Sequence, residues 1–329
     1  MSNRITVSVL PCVMAAMTLS AFGQGRPATP APRPDNPQSL ARIEKAKQLA
    51  GTDVTAPFNF YCVPGVARGQ NDDAPELEPV KLFDNLYAAG NSESPVYAIT
   101  TPEGIILIDS GSAEKVETVL IPGLRKLGMD PANVKYILLG HAHADHFGGS
   151  KYFQDRYGTK IGMSAADWDF IEKQSANANP NAAKPPKRDF VVTEGQPIKL
   201  GDVTVTPVLI PGHTPGSLAY VFPVKDGGTT RTAGLFGGTM LSSFLRSGTP
   251  EIRQYLSSNS HYLEVAKRMN VDVEIQNHPI FDDTPARLAK LKTRKAGEPH
   301  PFMMGNDRYL RFWNIIGECM QAEIARRGE

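Results

Sequence analysis

Between Gly140 and Gly149 the chain reads GHAHADHFGG, so that three histidines and one aspartate fall within six consecutive residues of a 329-residue chain with seven histidines in all. Seven in 329 is about 2% per position, and chance does not gather three of them into six places. The cluster directly follows VKYILLG (residues 134–140), a short unbroken apolar run of the kind that forms a strand buried on both faces. Sites on sheets usually open at the ends of such strands.

In an extended segment, side chains two apart point to the same side, so His141 and His143 can approach one ion together. Asp145 and His146 come two and three residues later, where the chain turns toward Gly148 and Gly149, and they face a neighbouring position. Neutral imidazole and carboxylate are donors that suit Zn²⁺. Four donors do not complete two ions, so others must come from elsewhere. His213 sits in PGHTPGS between two expected strands, and His278 follows the apolar run in VEIQNHP. His261 falls within an expected helix and His300 in a GEPHPF loop, where a solvated or structural histidine is the expectation. The expected assignment is His141, His143 and His213 on one ion, with Asp145, His146 and His278 on the other.

A chain of 329 residues with 41% hydrophobic content fills one large domain or two small ones. Lys and Arg number 35 against 34 Asp and Glu, a formal charge of +1, which lacks the basic excess of a nucleic-acid surface. The expected partner is a small-molecule substrate, with no nucleic acid and no membrane anchor.

Residues 1–23 have the layout of a secretory signal peptide: Arg4, an apolar run from Ile5 to about Phe22, then small residues around Ala21 and Gly23. The competing reading, a transmembrane span, is opposed by Pro11 and by a run barely long enough to cross. A periplasmic or secreted protein is therefore expected. Cys12 would leave with the signal, and Cys62 and Cys319 then permit one disulfide or two free thiols. RPATPAPRPDNP (residues 26–37) reads as an extended tether, which gives residues 24–45 as a tether and N-terminal segment and residues 46–329 as the main domain.

Within that domain VYAIT, PEG and IILIDSG form an expected hairpin, and TKIGM precedes a helix SAADWDFIEKQ capped by Ser164. VTVTPVLI, SLAYVFPV, TAGLFGG and VDVEIQN are further expected strands. Expected helices cover about Glu114 to Leu127, Glu251 to Met269, Thr284 to Lys292 and Asp307 to Ala325, and residues 175–188 read as a long loop. Strands in two series with helices between them suggest two packed sheets with helices outside.

HAHADH followed by PGHTPGS and then NHP resembles the metallo-β-lactamase superfamily, with the ligands in the same chain order. The resemblance extends from about Lys81 to the C-terminus and includes NLYAAGNSESPVYAITTPEGIILIDSG, similar to that family's opening hairpins. It implies an α/β fold, a four-layer αβ/βα sandwich, with two Zn²⁺ ions per chain at one edge of two facing sheets. Branches such as glyoxalase II, lactonases and phosphodiesterases carry a bridging aspartate after the fourth histidine, and the first two subclasses of class B β-lactamases carry a cysteine there. GLFGGTMLSS (residues 234–243) has neither, which is most like the third subclass. That subclass often has a Ser-x-Ser pair holding the substrate carboxylate. Here Met240 replaces one serine, leaving Ser242 and Ser243 as the expected substrate-binding residues. The family's C-terminal disulfide is altered too, since NVDVEIQNH lacks the usual cysteine and Cys62 would pair with Cys319 instead.

The resemblance implies a hydrolase in which a metal-bound hydroxide opens the β-lactam ring of penicillins, cephalosporins or carbapenems, and hence a role in antibiotic resistance. Asp145 is the expected proton carrier, and Asp109 in LIDSG the expected support for a ligand histidine. The alternatives are a dinuclear zinc hydrolase of another ester, lactone or phosphodiester, and a noncatalytic metal-binding protein.

Overall fold

Seven strands form one sheet in sequential order: β1 (Val80–Phe83), β2 (Leu86–Gly90), β3 (Pro95–Thr101), β4 (Gly104–Ile108), β5 (Val134–Leu138), β6 (Lys160–Met163) and β7 (Phe190–Val191). β1 to β4 meander antiparallel, and β4 to β7 run parallel. The second sheet holds β8 (Ile198–Leu200), β9 (Val203–Leu209), β10 (Leu218–Asp226), β11 (Thr229–Phe236) and β12 (Val273–Ile275), ordered β12-β11-β10-β9-β8 with one parallel pair, β11 and β12. This structure, a computed structural model, describes residues 33–63, 74–175, 183–239 and 248–329. The signal-like residues 1–23, most of the tether, and Ser242 and Ser243 lie outside the described residues.

The helices are α1 (Pro37–Ala50), α2 (Thr55–Tyr61), α3 (Ile121–Lys126), α4 (Ala144–Phe147), α5 (Ser150–Tyr157), α6 (Ala165–Ser175), α7 (Thr249–Arg268), α8 (Thr284–Thr293) and α9 (Asn306–Arg326). Their placement follows from strand alternation. Tyr97 and Ile99 of β3 and Ile106 and Ile108 of β4 face Leu218, Tyr220, Phe222 and Leu235 of the second sheet, forming the core between the sheets. The alternate residues Val96, Ala98, Ile105 and Leu107 pack outward on Leu124, Phe153, Trp168 and Ile171 of α3, α5 and α6. On the far side Val208, Ala219, Val221 and Phe236 meet α1, α2, α7 and α9. The result is helices, sheet, sheet, helices: the four-layer αβ/βα sandwich.

The expected helix from Glu114 to Leu127 is present but changes pitch along its length. Residues Ala113–Lys115 are a 3₁₀ turn, Val116–Leu120 a π turn, and α3 completes it. Pro122 gives the reason: it has no N–H to donate to the preceding turn, and its ring crowds that turn, which widens until Ile121 N–H reaches Val116 O. The other three expected helices appear as α7, α8 and α9, and Ser164 Oγ accepts Asp167 N–H at 3.2 Å as the cap of α6.

α1 runs through residue 46, the expected domain boundary. It starts with Asn36 and Ser39 capping each other reciprocally and Pro37 in the first turn, and it packs along α9. Of the expected loop at 175–188, Ser175 is the last residue of α6 and residues 183–188 are without regular structure. Cys62 and Cys319 are bonded, joining the end of α2 to α9. Among the described residues no helix is long and apolar enough to cross a membrane.

Candidate metal centre

β5 ends at Leu138, and the chain bends through Gly140 and Ala142 before α4 begins at Ala144. Here the two sheets are stitched together. Leu218 N–H donates to Gly140 O at 2.7 Å, and Tyr220 Oη donates to Leu139 O at 2.8 Å. The approach is close enough to require glycine on both sides, because a Cβ on Gly237 would lie 2.3 Å from Leu218 O and 2.6 Å from Gly140 Cα. His141 and His143 leave the first sheet here, His213 arrives on the β9–β10 connection, and His278 follows β12.

The structure brings the sequence-predicted donors into two groups, His141 with His143 and His213, and Asp145 with His146 and His278, with the ligand atoms of each group all within 4.8 Å of one another. Three of the outer ring nitrogens are committed. His141 Nδ1 donates to Gly237 O, His278 Nδ1 to Glu93 O at 2.7 Å, and His146 Nδ1 to Asp109 Oδ2 at 2.7 Å. A carbonyl or carboxylate oxygen only accepts, so each Nδ1 carries the hydrogen and each Nε2 faces the centre. There His141 Nε2 lies 3.0 Å from His213 Nε2, and His146 Nε2 lies 3.0 Å from His278 Nε2. His146 Nε2 and His278 Nε2, that close and with both Nδ1 hydrogens spent elsewhere, need a shared proton or cation, and the buried Nδ1 of His213 has no hydrogen-bond partner among the described residues. This, together with an N/O donor set, fits a divalent metal of the zinc type.

Electrostatics divides the two groups. Burial pushes His141 and His213 well below the usual imidazole range and lowers His143, so the three-histidine group is neutral and ready to donate lone pairs. Burial and the neighbouring His146 bring His278 down to about 4. Burial alone would lower His146 as well, but Asp145 and Asp109, one on each ring nitrogen, outweigh it and hold it at about 10. Asp145 is in turn depressed despite burial, by His146 and then His278. A metal taking the second group displaces a proton.

Asp109 contacts both His146 and the backbone beside His141. Its backbone is left-handed at φ 63°, which Asp tolerates better than most residues, and its carboxylate reaches both His146 and Gly140 N–H, the latter at 2.8 Å. His261 is exposed against Glu194, while His300 is buried between Leu82 O, which accepts its Nε2 hydrogen, and the ring of Phe83. Both are structural histidines, as expected. The sequence did not point to Asn277, whose Nδ2 shares Gly237 O with His141, or to Asp167, which bonds Ala142 N–H and the His213 loop. Up to Thr239 the segment after β11 presents no carboxylate or thiol.

Two facing sheets with a histidine-rich donor set at their shared edge define a metallo-hydrolase architecture. Residues 89–227 match the model of the Metallo-beta-lactamase superfamily. Among solved structures, BJP-1, a subclass B3 metallo-beta-lactamase of Bradyrhizobium japonicum, superposes with a TM-score of 0.61 at 29% identity, covering 78% of this chain and 92% of that one. Curated relatives carry a different name. A hydroxyacylglutathione hydrolase of Acidiphilium cryptum is 34% identical over 87 residues, 26% of this chain and 30% of that protein's length. Another, from Rhodobacter capsulatus, is 26% identical over 246 residues, 71% of this chain and 84% of that protein.

Proposed function

We propose that the protein is a dinuclear zinc hydrolase that opens the β-lactam ring of penicillins, cephalosporins or carbapenems, and that it works in the periplasm or outside the cell, where it would confer antibiotic resistance. The observation that carries this reading is the donor set itself. His141, His143 and His213 face Asp145, His146 and His278, and residues 234–243, where the resemblance implies a bridging acid in the ester- and phosphodiester-cleaving branches, contain no acid. The likeness to BJP-1 supports it. The signal-like first 23 residues and a disulfide between Cys62 and Cys319 support export.

His141, His143 and His213 would hold one ion and Asp145, His146 and His278 the other. When bound, the ions would acidify a water and polarise the amide carbonyl. The chain's part is orientation. Gly237 O, Asp109 and Glu93 O aim three of the imidazoles, so little rearrangement is needed on loading. The carboxylate of Asp145 lies at the less buried mouth of the second group, its side chain 23% exposed. It would take the proton from the attacking water and return it to the ring nitrogen as the C–N bond breaks. Ser242 and Ser243 would receive the substrate carboxylate.

The second reading, hydrolysis of another ester or thioester, is favoured by the curated relatives. A panel of a penicillin, a cephalosporin, a carbapenem, a homoserine lactone and a glutathione thioester, assayed with the zinc-loaded protein, separates the two. Turnover of the β-lactams, abolished by a chelator and restored by Zn²⁺, is the expected result. Cleavage of the lactone or thioester alone rejects the β-lactamase reading.

A further inference from the structure

Asp167 lies in the first turn of α6, more than 20 residues from every metal donor, and it is fully buried. Its Oδ2 accepts Ala142 N–H at 3.0 Å and Thr214 Oγ1–H at 2.7 Å, and its Oδ1 accepts Gly216 N–H at 2.7 Å. Ala142 stands between His141 and His143, and Thr214 directly follows His213. One carboxylate thus grips both loops that must meet for the three-histidine group to exist. The contact is tight. A Cβ on Gly216 would fall 2.0 Å from Ser164 Oγ and 2.7 Å from Asp167 N, so the PGHTPGS loop is pressed onto the start of α6. Thr214 Oγ1 also pairs with Ser217 Oγ at 2.7 Å, and Ser217 Oγ accepts Thr214 N–H at 3.0 Å, which closes the loop on itself around the carboxylate.

Chemistry explains why the residue is an acid. Three hydrogens converge on it, two at one oxygen and one at the other, and only a carboxylate offers acceptors on both sides. An amide of the same shape would turn its NH₂ toward either Gly216 N–H or Ala142 N–H, leaving a buried donor facing a donor. All three donors are uncharged, so an ionised group is enclosed here without a cation, a costly arrangement that a neutral side chain would avoid if only packing were at stake.

We infer that Asp167 is a positioning residue for the three-histidine group: it fixes the spacing between the His141–His143 bend and the His213 loop, as Asp109 fixes His146 in the other group. The inference rests on the metal-centre reading under Proposed function, and its test reads metal binding instead of turnover. Asp167→Asn is made in two backgrounds of the full chain, His278→Ala, which spares the three-histidine group, and His213→Ala, which spares the other. Co²⁺ affinity is measured by competition with a chromophoric chelator, with circular dichroism as the check on folding. The expected result is a loss of about ten- to a hundredfold in the His278→Ala background and less than about threefold in the His213→Ala background, with a matching change in the Co²⁺ absorption bands only in the former. Thr214→Val, which removes one of the three bonds, gives the same selectivity at smaller amplitude and serves if Asp167→Asn does not fold. Equal losses in both backgrounds, or none in either, overturn the inference. Selective loss in a protein that ignores β-lactams leaves it standing and rejects only the substrate reading.

Discussion

A carboxyl group enclosed by Ala142, Thr214 and Gly216 gives up its proton less readily than one in water, and burial pushes Asp167 up to about 6. The folded chain therefore binds this proton more tightly than the unfolded chain, in which the group titrates near 3.8. Its contribution to stability is fully present below the unfolded value and is lost as pH rises through the folded one. In the metal-free protein the loss between about pH 4.5 and about pH 7 is on the order of 2 kcal/mol. Denaturant unfolding of wild type and Asp167→Asn at both pH values reads it, because the wild type's relative stability falls by that amount toward neutral pH. A difference independent of pH contradicts burial as the cause. The contrast with the metal donors is instructive about what a sequence reveals. His141, His143, His146, His213 and His278 stood out because histidine is rare and each follows an apolar run, and Asp109 stood out at a strand end. Asp167 looks like any acid in a helix's first turn, and Gly237 O, a backbone group, has no signature at all.

Elements were legible where the hydrophobic pattern had a single explanation. The runs of β3, β4 and β10 are apolar over most of their length because both faces are covered there, and glycines mark the places where backbones cross. The segment from Glu114 was legible as a helix but not in its pitch, because the effect of Pro122 depends on how the preceding turn relaxes. α9 shows how an outer helix bears on the site. Trp313 is fully buried, stacks on Phe236 at 4.5 Å between ring centroids, and meets Tyr262 edge-on at 5.5 Å. Phe236 is the last residue of β11, one before the carbonyl that orients His141. Trp313→Ala should cost about 3–5 kcal/mol in urea unfolding, since the aromatic cluster between sheet and helix is too rigid to collapse into the cavity. A loss under about 1 kcal/mol would mean that the helix layer repacks freely.

At the scale of the molecule, the N-terminal segment is fastened to α9 along its length. Arg33 pairs with the buried Glu323 at 2.9 Å, Asn36 Nδ2 donates to Ala325 O at 2.6 Å, and Asp53 takes Arg311 at 2.7 Å. The Cys62–Cys319 bond closes the arrangement across a sequence separation of 257. The exposed ion pairs add little each, because solvent screens them. The disulfide acts differently, on the unfolded chain, by tying residues near its two ends. That the two cysteines meet was open in the sequence, because pairing depends on how α2 packs against α9, a tertiary contact that spacing does not encode. A bridge over so long a loop should be worth about 2–4 kcal/mol. The donors of the metal centre sit on other elements, although Tyr61, next to Cys62, donates to Thr239 O at 2.6 Å near the end of β11. Cys62→Ala/Cys319→Ala should therefore lower the unfolding free energy by that amount while Zn²⁺ affinity below the transition changes by less than about threefold. If affinity falls in step with stability, the N-terminal segment is part of the metal centre's support and the Tyr61 bond transmits it.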